Sequence, residues 1–160
     1  PLGLKIIYDN IEIHEKTHQK AISSIFLPTP KLKLALALYN INAFSASIDS
    51  SDGLAISLHQ LADASGVGIE VSNLPVNQDV IDAAKKVDLD VKNLVFNGGE
   101  EYEIVASIPE EKCEEAKKVA QKMGTPLLEI GKITSERNKI IFNNGEQFFN
   151  IDRKGWVHLS

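Results

Sequence analysis

Ser47-Ile48-Asp49-Ser50-Ser51-Asp52-Gly53-Leu54 is the stretch in which this chain passes from a β-rich run into an amphipathic helix. From Leu54 onward, Leu58, Leu61, Ala62 and Ser65 recur at intervals of three and four. That apolar-to-small stripe predicts a helix over 54–65 packed on a sheet and ended by Gly66. Upstream, Phe44-Ser45-Ala46-Ser47-Ile48 has the β-leaning character of a short buried strand, and Ser51 or Asp52 is placed to cap the first helical amides. A cap uses one carboxylate, which leaves Asp49 unaccounted for. Two carboxylates and two hydroxyls carried by a strand end into a glycine turn suit a divalent cation and the phosphates it bridges.

A second cluster, Asn97-Gly98-Gly99-Glu100-Glu101-Tyr102-Glu103, is again predicted at the mouth of a strand. The two glycines permit positive φ and close backbone approach. The acids after them cannot all face a core if the chain continues through Ile108 as a sheet strand. A plain hairpin turn would explain the glycines and leave the acids to solvent.

The rest of the chain alternates strands and helices without repeats or low-complexity linkers. Residues 15 to 26 read as a helix that stops at Pro28 and Pro30, and Lys31 to Asn40 as another, with Leu32, Ala35, Leu36 and Tyr39 on its apolar side. Ile69 to Val71 reads as a strand and Gln78 to Val87 as a helix, whereas Val91 to Phe96 is helical or extended. Further strands are predicted at 101–108, 127–133, 139–142 and 147–151, with a turn at Asn143-Asn144-Gly145. The fold class is α+β, a mixed β-sheet flanked by helices. Cys113, Ala116, Ala120 and Met123 mark one face of a helix after Pro109, so Cys113 reads as a packed thiol, with Glu114 and Glu115 disfavouring a thiolate. His14 and His18 are four apart but lack the glutamate of a zinc-protease motif. His59 reads as pointing to solvent.

The 160 residues suit a single domain, and 43% hydrophobic residues suffice for one core. A net charge of −5 argues against nucleic-acid binding, which needs a basic footprint. No apolar run is long enough for a membrane span. Cys113 is the chain's one cysteine, so no internal disulfide forms.

Together, Ile48-Asp49-Ser50-Ser51-Asp52-Gly53-Leu54, Ala64-Ser65-Gly66-Val67-Gly68 and Gly98-Gly99-Glu100-Glu101-Tyr102-Glu103 resemble the C-terminal half of thiamine-monophosphate kinase, in the superfamily of aminoimidazole ribonucleotide synthetase. Leu27-Pro28-Thr29-Pro30-Lys31 looks like the family's Pro-x-Pro-basic entry to a helix, and Gly155-Trp156-Val157-His158 like its Gly-aromatic-x-His close. The chain departs from the pattern at Glu101, usually Asp, and at Leu159, usually Phe.

The resemblance implies a cytoplasmic enzyme that uses ATP as co-substrate and Mg²⁺ to turn thiamine monophosphate into thiamine diphosphate. By match to the motif, Asp49 and Asp52 are metal ligands, with Asp52 essential to catalysis, and Ser51 and Gly53 hold a phosphate oxygen. Glu100, Glu101, Tyr102 and Trp156 fall to substrate recognition. It also implies that residues 1–160 are one C-terminal domain with residues 1–14 as a lead-in, that an N-terminal ATP- and metal-binding domain is missing, and that the whole protein is a homodimer. Two alternatives stand beside this reading. One is another ATP-using member of the superfamily, of selenophosphate synthetase, hydrogenase maturation factor or aminoimidazole ribonucleotide synthetase type; the other is a non-catalytic ligand-binding module.

Overall fold

Among the described residues six strands form two sheets, with helices packed around them. The structure, a computed structural model, describes Ile6, residues 15–99 and residues 102–155. In chain order the elements are α1 (Glu15–Phe26), α2 (Leu32–Asn40), β1 (Ala46–Ser50), α3 (Leu54–Ser65), β2 (Gly68–Val71), α4 (Gln78–Lys86), α5 (Val91–Asn97), β3 (Glu103–Ser107), α6 (Glu110–Lys122), β4 (Gly131–Thr134), β5 (Ile140–Asn143) and β6 (Phe148–Asn150). β1 and β3 form a two-stranded antiparallel sheet, and the other four strands a mixed sheet in the order β4-β2-β5-β6. Its one parallel pair is β2 with β5. The α+β class with helices on a mixed sheet is therefore present, with the site-bearing strands set apart in a sheet of their own.

The main core lies between α3 and the four-stranded sheet. Leu54, Ala55, Leu58 and Ala62 meet Ile69 and Val71 of β2, Ile140 and Phe142 of β5, Val95 and Phe96 of α5, and Ile151. Leu54, Leu58 and Ala62 of the predicted stripe lie on the buried face of α3, with Leu61 half-buried and Ser65, at the helix end, exposed; the helix has the predicted limits, closed by Gly66 in a left-handed conformation at φ 65°. The capping expectation is corrected. The N-cap is Gly53, so Ser51 and Asp52 fall outside the helix. Backbone geometry decides this, because Gly53 has φ 112°, a conformation open to glycine.

A second cluster joins α2 to α6 through Leu34, Leu38, Ala43, Ala116 and Ala120. Here the expected apolar side of α2 is also corrected. Leu34 and Leu38 are buried, while Leu32 is 65% and Tyr39 69% exposed, with Leu36 exposed as well. Helical geometry puts the two stripes on roughly opposite faces, and the small alanines of α6 accept the Leu34 and Leu38 side. The Cys113 thiol is half-buried and donates weakly to the Pro109 carbonyl at 3.5 Å, as a packed thiol should.

Local chemistry settles the segment left open. Asp90 caps α5 by accepting from the Lys92 amide at 2.9 Å, which fixes residues 91–97 as helix. The strand expected at 127–133 is only Gly131–Thr134. Among the described residues, no helix is long and apolar enough to cross a membrane.

Candidate functional site

β1 starts two residues later than its composition predicts, and that shift carries Asp49 and Ser50 into the strand. Strand alternation then sends them to opposite faces, Asp49 exposed and Ser50 buried at 2%. Asp52 lies half-buried in the turn that follows. Ser57, inside α3, ties the turn together, its hydroxyl within reach of the Gly53 carbonyl at 3.1 Å and the Asp49 carbonyl at 3.4 Å. Substituting Ser57 by Ala removes a buried hydroxyl, while the Gly53 carbonyl keeps the Ser57 amide as donor. A loss of about 1 kcal/mol is expected from urea unfolding.

The two sequence clusters converge here. Any Cβ on Gly53 would sit 3.0 Å from the Gly98 carbonyl and 3.1 Å from the Phe96 carbonyl, so the α5–β3 turn presses on the backbone of the Asp49–Gly53 turn. Strand pairing joins them again, with Ser50 opposite Glu103 and Asp49 opposite Ile104, and the Tyr102 amide donating to the Ser50 carbonyl at 3.0 Å. Tyr102 lies before β3, at φ 51° and partly exposed, so the side-to-side alternation of that strand does not reach it. A tyrosine in the left-handed region is strained by about 1–3 kcal/mol, the kind of cost that collects at ligand sites. Lys31, the basic residue after Pro30, pairs with Glu103 at 3.4 Å and fastens the entry of α2 to the start of β3.

A third segment reaches the same turn. A Cβ on Gly155 would run into the Asp52 carbonyl oxygen and lie 2.5 Å from Cγ1 of Ile56. His59 was expected to face solvent. It is instead half-buried, with Nε2 2.8 Å from the Ile151 carbonyl, an acceptor 92 positions away. Arg153 pairs with Asp63 at 2.7 Å. Lys154 hydrogen-bonds Asp152 and holds that carboxyl below its ordinary value. This stabilisation is present above the unfolded-state pKa of Asp152 and fades as pH falls through the lowered folded value.

Glu100, Glu101 and Trp156 lie outside the described residues. Ser50, in sequence one of the turn's two hydroxyls, is buried with no hydrogen-bond partner among the described residues, and neither that burial nor the close approach at Gly155 is legible in the motif. Among the described residues no three His, Cys, Asp or Glu side chains gather into a metal cage. Asp49, exposed on β1, and Asp52, half-buried in the turn, are carboxylates of the kind that Mg²⁺ takes singly or in pairs together with substrate phosphates and water.

An α+β domain with an Asp-rich strand-to-helix turn backed by a Gly-Gly turn places the chain in a known class. It belongs to the family described as AIR synthase related protein, C-terminal domain, whose model matches residues 2–143. Within that class it is similar to the thiamine-monophosphate kinase of Nitrosopumilus maritimus (strain SCM1), 34% identical over 157 residues, which are 98% of this chain and 49% of the relative. It also resembles the crystal structure of tt0281 from Thermus thermophilus, at 33% identity and TM-score 0.73, over 89% of this chain and 44% of that one. AaThiL complexed with AMPPCP and TMP shares the fold at 23% identity and TM-score 0.77, over 98% of this chain and 47% of that one. The chain spans about half the length of the curated relatives it matches.

Proposed function

We propose that this chain is the C-terminal half of a Mg²⁺-dependent kinase that transfers the γ-phosphoryl of ATP to the phosphate of thiamine monophosphate, giving thiamine diphosphate and ADP. The observation that carries this reading is the convergence on Gly53, where the Asp49–Asp52 turn and the Gly98–Glu103 segment, both matched to the family motif, abut. Relatives named thiamine-monophosphate kinase align over nearly the whole chain.

The acceptor is a phosphate oxygen already deprotonated near neutral pH, so the chain needs no Ser-His or Cys-His pair to make a nucleophile. What opposes the reaction is repulsion between two anions, offset by cations, amides and in-line positioning. Asp49 and Asp52 would hold the metal, and bound there Mg²⁺ supplies the positive charge that lets the phosphates approach. Ser51 and the amides about Gly53 would hold a phosphate oxygen at the start of α3. Glu100, Glu101, Tyr102 and Trp156 would recognise the thiamine rings, carboxylates and aromatic faces both suiting a cationic thiazolium.

The proposal includes a preceding half that supplies further metal ligands, much of the nucleotide site and a homodimer contact, in a cytoplasmic enzyme. The exposed stripe of Leu32, Leu36 and Tyr39 favours such a covering partner, since a helix apolar on two faces is suited to burial on both. Phosphorus NMR tests the reading. Protein from the complete reading frame, given thiamine monophosphate and Mg-ATP, is expected to form thiamine diphosphate. The 160-residue chain alone is expected to form none. Intact ATP with the complete protein would remove the kinase reading, and turnover by the short chain would remove the need for a second half.

A further inference from the structure

We infer that Ile56, His59 and Asp63, on the outer side of α3, form a seat for the segment 151–155, and that His59 and Gly155 are positioning residues for the acceptor site. The substrate part of this inference rests on the kinase reading above.

The three seat residues are spaced by three and four and so share one face of the helix. Each meets the segment by different chemistry. The Ile151 carbonyl can only accept, so His59 carries its proton on Nε2 and donates across the 2.8 Å contact. Arg153 reaches Asp63 at 2.7 Å. Gly155 lies flush against Ile56 and the Asp52 carbonyl, with no room for a methyl group on either side.

Residues 151–155 belong to no helix or strand, so no ladder sets their path beyond Ile151. Ile151 itself is anchored in the main core, with its amide donating to the Ile140 carbonyl at 2.9 Å. From there the contacts with α3 hold the chain as far as the Asp52 turn. Among the described residues the last member of the main core is Ile151, so Gly155 makes its close approach outside that cluster. Its consequence is local: the chain leaves for Trp156 from a point in contact with the backbone of a proposed metal ligand. A side chain at position 155 must displace that departure point or the Asp52 turn.

Two readouts separate positioning from mere stability. Trp156 is the chain's one tryptophan, so acrylamide quenching of its fluorescence reports the segment without any substrate. His59→Leu is expected to raise the quenching constant about twofold, and His59→Gln, which keeps an N–H donor, to stay near wild type. In protein from the complete reading frame, His59→Leu and Gly155→Ala are expected to raise KM for thiamine monophosphate about tenfold. KM for ATP should hold, and Lys154→Ala should leave both Michaelis constants unchanged. Equal quenching in His59→Leu and wild type overturns the seat. Unchanged KM for the acceptor in both variants, with an active wild type, overturns the positioning role. An inactive wild type instead sinks the kinase reading, and quenching still decides the seat.

Discussion

Asp52→Ala in protein from the complete reading frame lowers turnover by on the order of 10³-fold, the loss seen when one preorganised stabiliser of a developing charge is removed. The expectation rests on where the residue sits. Asp52 is in the turn, outside α3, so it is not the helix cap, and its removal leaves Gly53 and its φ of 112° untouched. Unfolding free energy should therefore stay within about 1 kcal/mol of wild type. Asp52→Asn is the sharper variant, since it preserves size and one acceptor oxygen and removes the charge. It should also need more Mg²⁺ for half-maximal rate, and the metal alone can be followed by competition with Mn²⁺ in electron paramagnetic resonance. A variant with wild-type turnover and wild-type Mn²⁺ affinity would strip Asp52 of its ligand role. Asp49→Asn should behave in the same way, because the paired strand holds the Asp49 backbone opposite Ile104 whatever the side chain carries.

Periodicity was a good guide where one face was apolar and the helix carried its own stop signal. α3 meets both conditions, with its stripe of Leu54, Leu58 and Ala62 and with Gly66 at its end. α2 meets neither. Leucines at 32, 34, 36 and 38 supply two apolar stripes, and only the alanines of α6, some eighty residues downstream, decide which is buried. β1 is displaced for a related reason. Phe44 has strand character, but it packs against the α2–α6 cluster, and the ladder with β3 runs from Ala46 to Ser50. The site was legible as two motifs and not as one place. Nothing within either motif reports that Gly53 takes the Phe96–Gly98 backbone against it, or that Gly155 takes Asp52, because both contacts join distant parts of the chain. His59 shows the same limit. A histidine on a helix reads as solvated until the carbonyl of Ile151 is brought to it.

Phe142→Ala is expected to cost about 3–5 kcal/mol of the ~5–15 kcal/mol total for a domain of this kind, most of the margin in an ordinary case. Phe142 is 2% exposed at the centre of β5, paired with Val71 of β2 on one side and Phe149 of β6 on the other. Its ring stacks on Phe149 at 5.0 Å and meets the edge of Phe96 at 6.2 Å, so truncation opens a cavity and ends both aromatic contacts. Phe148, a neighbour of Phe149 on the same short strand, is 64% exposed. Phe148→Ala should change stability by no more than about 0.5 kcal/mol. Urea unfolding followed by circular dichroism measures both, and a Phe142→Ala loss below about 1 kcal/mol would show that the three rings do not hold the sheet. The damage should also reach the site. Phe96 packs on Phe142 in the last turn of α5, and its backbone with that of Asn97 and Gly98 forms the wall against Gly53. Phe142→Leu keeps apolar contact with that wall and loses only the ring pairs, so it should retain more activity at a given temperature than Phe142→Ala. The order of the two variants then shows whether the aromatic cluster acts on the site through α5.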